Sequence, residues 1–194
     1  MRTASEARDT AETKIKLELK LDGSGKSTID TGIPFFDHML TLFSRHSLID
    51  LNVQVEGDVE VDYHHTVEDT GIVLGNCLRE ALGNKHGISR YGHAYLPMDE
   101  TLCRVVVDLS NRPHLEFRHP EQTPDAQNFR FTLVEEFFRA ITCNLRANIH
   151  AEVLYGRDGH HIAESLFKGL ARALRVAIAI DPRVDGVPST KEVL

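Results

Sequence analysis

The feature that most restricts how this 194-residue chain can fold is a repeated pattern of two adjacent histidines and a glutamate. The pattern occurs in DYHHTVEDTGI at residues 62–72 and again in GHHIAESLFKG at residues 159–169. The matched residues lie 96 positions apart: His64, His65 and Glu68 in the first copy, and His160, His161 and Glu164 in the second. One constant offset for three matched residues indicates an internal duplication.

The hydrophobic periodicity predicts a similar order of elements in each half. In the first half we predict strands at 13–22, 27–33, 47–58 and 59–63, and helices at about 34–46 and 65–82. In the second half we predict strands at 93–110, 112–119 and 149–156, and helices at 131–148 and 160–178. The fold class is therefore α+β, one compact duplicated domain with halves at 1–90 and 91–194, the second including a C-terminal tail. We expect the helices to pack on one face of each antiparallel sheet.

Composition and charge exclude several classes of protein. The net charge is −7 without a long basic run, which argues against nucleic-acid and anionic-membrane partners. No run of eighteen apolar residues is present, and the first thirty residues are polar, so neither a membrane span nor a signal peptide is expected. Cys77, Cys103 and Cys143 are odd in number and lie in apolar patterns. We interpret them as small core residues of a cytoplasmic protein.

The spacing of the repeated residues suits metal chelation. In a helix, His64 and Glu68 lie on one face, about 40° apart, whereas His65 projects about 100° away. Each copy should therefore offer one chelating pair to one site and a single imidazole to another. Pseudo-twofold symmetry then predicts two metal sites, one from His64, Glu68 and His161 and the other from His160, Glu164 and His65. Residues of the earlier helices, aligned at an offset of 98, can complete these sets: His38 and Glu136.

A simpler interpretation is that the histidines only cap or pack two helix N-termini. The apolar stripes of the two helices lie roughly 240° from the first histidine, so the chelating residues are not part of the core face. Imidazole and carboxylate ligands suit Zn, Mn, Fe, Co or Ni, and the lack of cysteine ligands argues against structural zinc. Four protein ligands with two open positions would suit an octahedral Mn²⁺ that also binds substrate.

These motifs resemble the two signature motifs of the imidazoleglycerol-phosphate dehydratase family of histidine biosynthesis. The segments FFDHML, ISRYG, PMDETL and PSTK support the resemblance, which covers essentially the whole chain. It implies two sheets that enclose a helical bundle, a cytoplasmic homo-oligomer of 24 subunits with active sites at subunit interfaces, and two Mn²⁺ ions per active site.

The resemblance also implies a division of the ligands. The first metal would be held by His38, His65, His160 and Glu164, and the second by His64, Glu68 and His161. Where many members have a histidine that completes the second site, this chain has Glu136, and we predict a carboxylate ligand there, with Glu135 and His150 as alternatives. Two smaller departures are Asn111, where glycine is usual before Arg112, and Asp158, where asparagine is frequent.

The reaction implied by the resemblance converts D-erythro-1-(imidazol-4-yl)glycerol 3-phosphate into 3-(imidazol-4-yl)-2-oxopropyl phosphate and water. Metals on both ring nitrogens would favour an imidazolate, which expels the neighbouring hydroxyl to form a diazafulvene; the metals act as Lewis acids and as a template. Glu12, in RDTAETKIKL, matches the catalytic carboxylate that moves protons. The implied substrate-binding residues are Glu12, His46, Arg90, Arg112, Lys168, Ser189, Thr190 and Lys191.

Two other functions are compatible with the residues alone. A dinuclear metallohydrolase acting on a phosphate ester or amide could use the same ligands. A non-catalytic metal-storage shell could also use them, and it would hold many metals per chain without turnover.

Overall fold

The computed structural model describes residues 1–191 and 193–194, which form two four-stranded sheets and four helices. The first half contains β1 (Thr3–Asp9), β2 (Thr13–Lys20), β3 (Ser27–Asp30), α1 (Pro34–Ser47), β4 (Asp50–Gly57) and α2 (His64–Leu82). The second half contains β5 (Tyr91–Met98), β6 (Thr101–Asp108), β7 (His114–Arg118), α3 (Phe131–Leu145), β8 (Asn148–Tyr155) and α4 (Gly159–Ala177). The strand orders, β1-β2-β4-β3 and β5-β6-β8-β7, are the same, so the predicted α+β class and duplication are confirmed.

Backbone conformation at the helix ends also follows the duplication. The C-cap residues of α1 and α3 are Leu48 and Arg146, and both adopt the left-handed conformation, with φ of 62° and 57°. These two positions are 98 residues apart, the offset that aligns His38 with Glu136. The two helices therefore place His38 and Glu136 at the same distance along the chain from their C-terminal caps.

Each sheet is antiparallel except at one edge, a difference from the expected fully antiparallel sheets. Strands β1, β2 and β4 pair antiparallel, whereas β3 pairs parallel with β4, and β7 pairs parallel with β8 in the same way. Parallel neighbours need a crossover connection, and helices α1 and α3 provide it. The crossover positions these two helices over the sheets, where each can contact a helix from the other half.

Three local predictions were wrong. Residues 93–110, predicted as one strand, form β5 and β6, which pair antiparallel across a turn at Asp99 and Glu100. Residues 59–63, predicted as a strand, form a turn in which the Val61 amide donates to the Asp58 carbonyl at 2.8 Å. Valines alternating with acidic residues imitate a strand, but Val61 is exposed and the segment leads directly into α2. Strand β1 was not predicted, because its sequence TASEARD buries only Ala4. It forms by pairing with β2 from Thr3 to Asp9, which no local pattern shows.

The helices lie between the two sheets, as the expected enclosed bundle requires. Helix α2 packs on β1 and β2 and against α3, while α4 packs on β5 and β6 and against α1. Gly71 and Gly75 allow the close approach of α2 to α3, since a Cβ at either position would lie 2.8 Å from the Cβ of Ala140 or Asn144. Each sheet-bound helix is thus paired with a helix of the other half, and both pairs carry site residues.

Expectations drawn from composition are met in part. Cys77 and Cys103 are buried, but Cys143 is exposed, so the prediction of three core cysteines was wrong for it. Cys143 lies two positions from the buried Ile141 and Leu145 and therefore faces away from them around α3. Among the described residues, no helix has the length and apolar character needed to cross a membrane.

Candidate metal centre and catalytic site

Equivalent aspartates at the starts of α2 and α4 bind backbone amides of the paired histidines. The Asp62 carboxylate accepts a hydrogen bond from the His64 backbone amide at 2.7 Å. The Asp158 carboxylate accepts from the amides of His160 and His161 at 2.8 and 3.1 Å. Asp158 is the N-cap of α4, whereas Asp62 precedes the α2 N-cap, Tyr63. Both carboxylates satisfy amides that have no partner within the helix, so the paired histidines are fixed in the first helical turn.

The first cluster of possible metal ligands consists of His38, His160 and Glu164. The Nε2 atoms of His38 and His160 lie 2.8 and 2.9 Å from Oε1 of Glu164, and the ligand atoms all lie within 4.8 Å of one another. Glu164 is buried, which by itself would raise its pKa, but hydrogen bonds from Lys168, His38 and His160 outweigh burial and bring the pKa to about 2. The cluster therefore contains a carboxylate that stays ionised and two adjacent imidazoles.

The second cluster consists of His64, Glu68 and Glu136, whose ligand atoms also lie within 4.8 Å of one another. His64 Nε2 lies 3.5 Å from Glu68 Oε2, across one turn of α2. Glu136 comes from α3, just as His38 comes from α1 in the first cluster. The two clusters therefore have the same construction, in which a helix of one half completes the chelating pair of the other half.

The alternatives to Glu136 lie elsewhere in this chain. Glu135 forms an ion pair with Arg139 at 2.6 Å, whereas Glu136 lies 3.8 Å from Arg139. His150 is exposed on β8, on the outer face of the second sheet, where its ring centroid is 5.8 Å from that of His114. Of the three candidates, Glu136 is the one that lies with the His64 and Glu68 ligand atoms.

The second histidine of each pair points away from the two clusters. His65 Nδ1 lies 2.9 Å from the Asp58 carboxylate, and its Nε2 lies 3.7 Å from Glu12. His161 Nδ1 lies 2.8 Å from Oε2 of Glu100. The hydrogen bond to Asp58 raises the pKa of His65, and the hydrogen bond to Glu100 raises that of His161. Within one chain, neither imidazole joins a cluster, so neither ligand set implied by the resemblance is complete.

The carboxylate partners of these two imidazoles were missed by the sequence analysis. Glu100 lies in PMDETL, a segment noted only for its resemblance, and Asp58 was assigned to a predicted strand. Asp58 precedes His65 by seven positions, and this closeness in sequence was the one signal that could have indicated the pair. No comparable signal exists for Glu100, which precedes His161 by 61 positions.

Glu12 and Glu100 occupy equivalent positions in the two halves. Each directly precedes a buried threonine, Thr13 or Thr101, that begins the second strand of a β-hairpin. The side chain of Glu12 is 54% exposed, and its nearest described cationic group is His65. Glu12 is therefore accessible, and no described hydrogen bond to its carboxylate fixes it.

Glu100, by contrast, is held on both oxygens. Its Oε1 accepts from the amides of Arg157 and Asp158 at 3.3 and 3.0 Å and from the Thr101 hydroxyl at 3.1 Å, while Oε2 faces His161. The hydrogen bond from His161 is the largest cause that lowers the pKa of Glu100 to about 2. Glu100 therefore stays ionised and holds the imidazole of His161 in place.

Five of the eight expected substrate-binding residues line one open depression at the end of the second sheet. They are Arg90, Arg112, Ser189, Thr190 and Lys191. Both the Nε and an Nη atom of Arg90 donate to the Asp108 carboxylate, at 2.7 and 3.2 Å, and its other Nη donates to the Pro188 carbonyl at 2.9 Å. The hydrogen bonds to Asp108 raise the pKa of Arg90, so this cation is fixed in place and charged.

Lys168 and His46 lie apart from this depression, between α1 and α4. The Lys168 ammonium contacts the Glu164 carboxylate and lies 3.5 Å from the Met98 sulfur. Burial lowers the pKa of His46, and the nearby positive charges of Lys168 and Arg172 lower it further. The expected substrate-binding residues are thus distributed over the depression, the surroundings of Glu164 and the Glu12 hairpin.

Comparison with known proteins identifies the family. The family model described as imidazoleglycerol-phosphate dehydratase matches residues 31–174. The chain belongs to the imidazoleglycerol-phosphate dehydratase family. It is 65% identical over 196 residues to the protein of that name from Akkermansia muciniphila, with 100% of both chains covered. It is 56% identical over 192 residues to that of Methylorubrum extorquens, with 98% of each chain covered.

Solved structures of this family share the fold. The imidazoleglycerol-phosphate dehydratase of Staphylococcus aureus matches with a TM-score of 0.83 and 40% identity, covering 92% of this chain and 99% of the other. The Pyrococcus furiosus structure, in complex with (S)-C348, matches with a TM-score of 0.84 and 39% identity, covering 97% and 100%. The chain is therefore an enzyme of the hydro-lyase class, and the metallohydrolase and storage-shell alternatives are set aside.

Two departures from the family pattern have local explanations. Asn111 has φ of 60°, the left-handed region, which asparagine tolerates better than other side chains, so it can replace the usual glycine. Asp158 caps α4 through its carboxylate, a role that asparagine fills equally well.

Proposed function

We propose that this dehydratase acts in histidine biosynthesis and converts D-erythro-1-(imidazol-4-yl)glycerol 3-phosphate into 3-(imidazol-4-yl)-2-oxopropyl phosphate, with two Mn²⁺ ions per active site. The observation that carries the proposal is the pair of equivalent clusters, His38 with His160 and Glu164, and His64 with Glu68 and Glu136. The proposed substrate is that of the enzyme for which the relatives are named. The two clusters of possible ligands are the reason for proposing two metals.

The donor atoms of both clusters fit divalent transition metals. The first cluster offers two imidazoles and one carboxylate, and the second offers one imidazole and two carboxylates, without a thiolate in either. Such mixed sets suit Mn²⁺, and the carboxylate-rich second set is the harder of the two. When bound, the two cations supply Lewis acidity to the imidazole ring of the substrate and fix its orientation.

Proton transfer at the substrate's carbon chain is the proposed task of Glu12. The hydrogen that must leave this chain is not acidic in the free substrate, because no carbonyl group adjoins it. It becomes acidic once the ring anion has expelled the neighbouring hydroxyl and a diazafulvene has formed. A carboxylate that accepts this proton must be accessible and free of competing hydrogen bonds, as the 54% exposed side chain of Glu12 is. Its equivalent, Glu100, is less exposed, at 25%, and both of its oxygens already accept hydrogen bonds.

The phosphate group of the substrate is proposed to bind in the depression lined by Arg90, Arg112 and Lys191. Guanidinium groups and hydroxyls donate to phosphate oxygens, and Ser189 and Thr190 supply the hydroxyls. Because Asp108 already fixes the Arg90 guanidinium, little side-chain entropy remains to be lost when phosphate binds.

We further propose that each active site is assembled from neighbouring subunits of a cytoplasmic homo-oligomer. The support from the structure is that His65 and His161 lie apart from both clusters, although the resemblance implies that each is a metal ligand. A neighbouring chain can supply the missing imidazole to each cluster. The number of subunits, 24, comes from the resemblance alone.

An assay of purified protein with the imidazole phosphate substrate tests the function. The 2-oxopropyl phosphate product should form in protein loaded with Mn²⁺, stop after chelation and resume when Mn²⁺ is restored. Metal should be counted in the same samples by plasma mass spectrometry, with two equivalents expected per subunit. Turnover that is unaffected by complete removal of metal would overturn the proposal.

A further inference from the structure

The imidazoles of His65 and His161 each bind a carboxylate, but the two carboxylates do not occupy equivalent positions in the duplication. Asp58 follows the end of β4, whereas Glu100 lies in the hairpin turn between β5 and β6. Each nonetheless accepts a hydrogen bond from Nδ1 of its histidine, at 2.9 Å for His65 and 2.8 Å for His161. The same arrangement is thus reached in the two halves by different routes.

We propose that Asp58 and Glu100 are positioning residues that fix the Nδ1-protonated tautomers of His65 and His161 and direct each Nε2 toward a metal held by the clusters of a neighbouring subunit. This inference rests on the proposed function, because it requires shared metals. It assigns a function to two carboxylates that would not themselves touch metal or substrate.

The physical argument begins with the two nitrogens of the imidazole ring. A carboxylate that accepts a hydrogen bond from Nδ1–H keeps the proton on Nδ1, and the Nε2 lone pair is then free for a metal. Metal-binding histidines usually have such a second partner, which orients the ring and increases its basicity. The side chains of His65 and His161 are 30% and 27% exposed, so a neighbouring chain can reach them.

The two carboxylates differ in their other partners, and this difference allows a sharp test. Both oxygens of Asp58 lie near Nδ1 of His65, at 2.9 and 3.2 Å, and no other side-chain hydrogen bond to them occurs among the described residues. Asparagine at this position can turn its carbonyl oxygen toward Nδ1 and keep the tautomer. The variant Asp58→Asn should therefore preserve the orientation of the imidazole, whereas Asp58→Ala should not.

Glu100 does not have this freedom. Its Oε1 is occupied by the amides of Arg157 and Asp158, and Oε2 alone faces His161. In Glu100→Gln, an amide oxygen that stays with those backbone amides places its NH₂ group against Nδ1. That group donates, so it favours the tautomer with the proton on Nε2, which cannot bind a metal. Glutamine at position 100 should therefore weaken metal binding, whereas asparagine at position 58 should preserve it.

The experiment measures metal affinity by competition with a chelating dye, and subunit assembly by light scattering, for wild type and these variants. Losing such a partner typically weakens metal binding about 10–100-fold. We expect that loss at one of the two metals in Asp58→Ala and Glu100→Gln, and near wild-type affinity in Asp58→Asn. Adjacent charge controls, Glu60→Gln and Asp99→Asn, should keep both metals. Circular dichroism on each variant verifies that it is folded.

The variants also act on different metals. Glu100→Gln should affect the metal that uses Glu136, so combining it with Glu136→Ala should add little to the loss caused by Glu136→Ala alone. Asp58→Ala combined with Glu136→Ala should weaken both metals.

Two outcomes would count against the inference. If wild type binds two metals but folded Asp58→Ala and Glu100→Gln bind both with unchanged affinity, the inference is wrong and the proposed function stands. If wild type itself binds no metal, the proposed function fails, and the inference fails with it.

Discussion

Glu12 and Glu100 stand at equivalent positions of two hairpins, yet the carboxylate of Glu12 is 54% exposed while that of Glu100 is held by His161 at 2.8 Å. Duplication gave both halves the same carboxylate in the same place. In the second half, two backbone amides next to the α4 cap also bind it. The chain therefore contains an internal comparison between a carboxylate free for proton transfer and one used for positioning.

Replacing Glu12 with glutamine should reduce turnover and leave metal binding intact. The substitution preserves size and removes the basic group, and loss of general acid–base catalysis typically costs about 10²–10⁴-fold in rate. Single-turnover kinetics with Mn²⁺-loaded protein measure the rate, and plasma mass spectrometry counts the metals. Glu18→Gln, an exposed change on β2, is the matched control and should keep the wild-type rate. Full activity in Glu12→Gln would assign proton transfer to another group.

Replacing Glu136 with alanine should remove one of the two metals. Its carboxylate lies with the ligand atoms of His64 and Glu68, whereas the neighbouring Glu135 lies outside that cluster and pairs with Arg139 at 2.6 Å. Glu136→His should keep both metals, and Glu135→Ala should also keep both. Metal equivalents per subunit decide the matter, and two full equivalents in Glu136→Ala would show that Glu136 is not a ligand. A carboxylate ligand should also favour Mn²⁺ over softer metals, relative to Glu136→His.

Removing the metals should break the oligomer into smaller species. If His65 and His161 complete clusters on neighbouring chains, each metal links two subunits, and the binding free energy stabilises the assembly. Size-exclusion chromatography with light scattering should show a lower mass after chelation and recovery when Mn²⁺ is added. An unchanged mass in protein verified to be metal-free would contradict the shared-ligand arrangement.

Substitution of Asn111 should reveal the conformational demand at φ of 60°. Asn111→Gly should have little effect on stability, because glycine adopts this conformation without strain. Asn111→Ala should lower stability by about 1 kcal/mol and raise KM, since the adjacent Arg112 lines the phosphate depression. Thermal unfolding and steady-state kinetics test both effects. Equal stability of the alanine and glycine variants would argue against strain at this position.

Thiol labelling should separate the three cysteines. Burial raises the pKa of Cys77 to about 12 and that of Cys103 to about 11, so both thiols stay protonated at pH 9. A thiol-reactive dye at that pH should modify at most Cys143 in the native protein, and all three cysteines after denaturation. Mass spectrometry of labelled peptides identifies the sites, and rapid native labelling of Cys77 would contradict the buried positions.

The sequence alone determined the features that depend on residues close together in the chain. The i, i+4 spacing places Glu68 beside His64 and Glu164 beside His160, because helix geometry is local. The constant offset revealed the duplication, but not the order of the strands within each sheet. The alignment of His38 with Glu136 followed from the same offset.

Only the tertiary structure decided the features that depend on contacts between distant segments. It distinguished Glu136 from Glu135, which are adjacent in sequence but about 100° apart around α3. Both lie near Arg139, at 3.8 and 2.6 Å, but only Glu136 joins the ligand atoms of His64 and Glu68. It also formed β1 and paired Glu100 with His161, 61 positions away. Strand pairing and packing between helices bring such residues together. These contacts join distant segments, so they produce no periodic pattern in the local sequence.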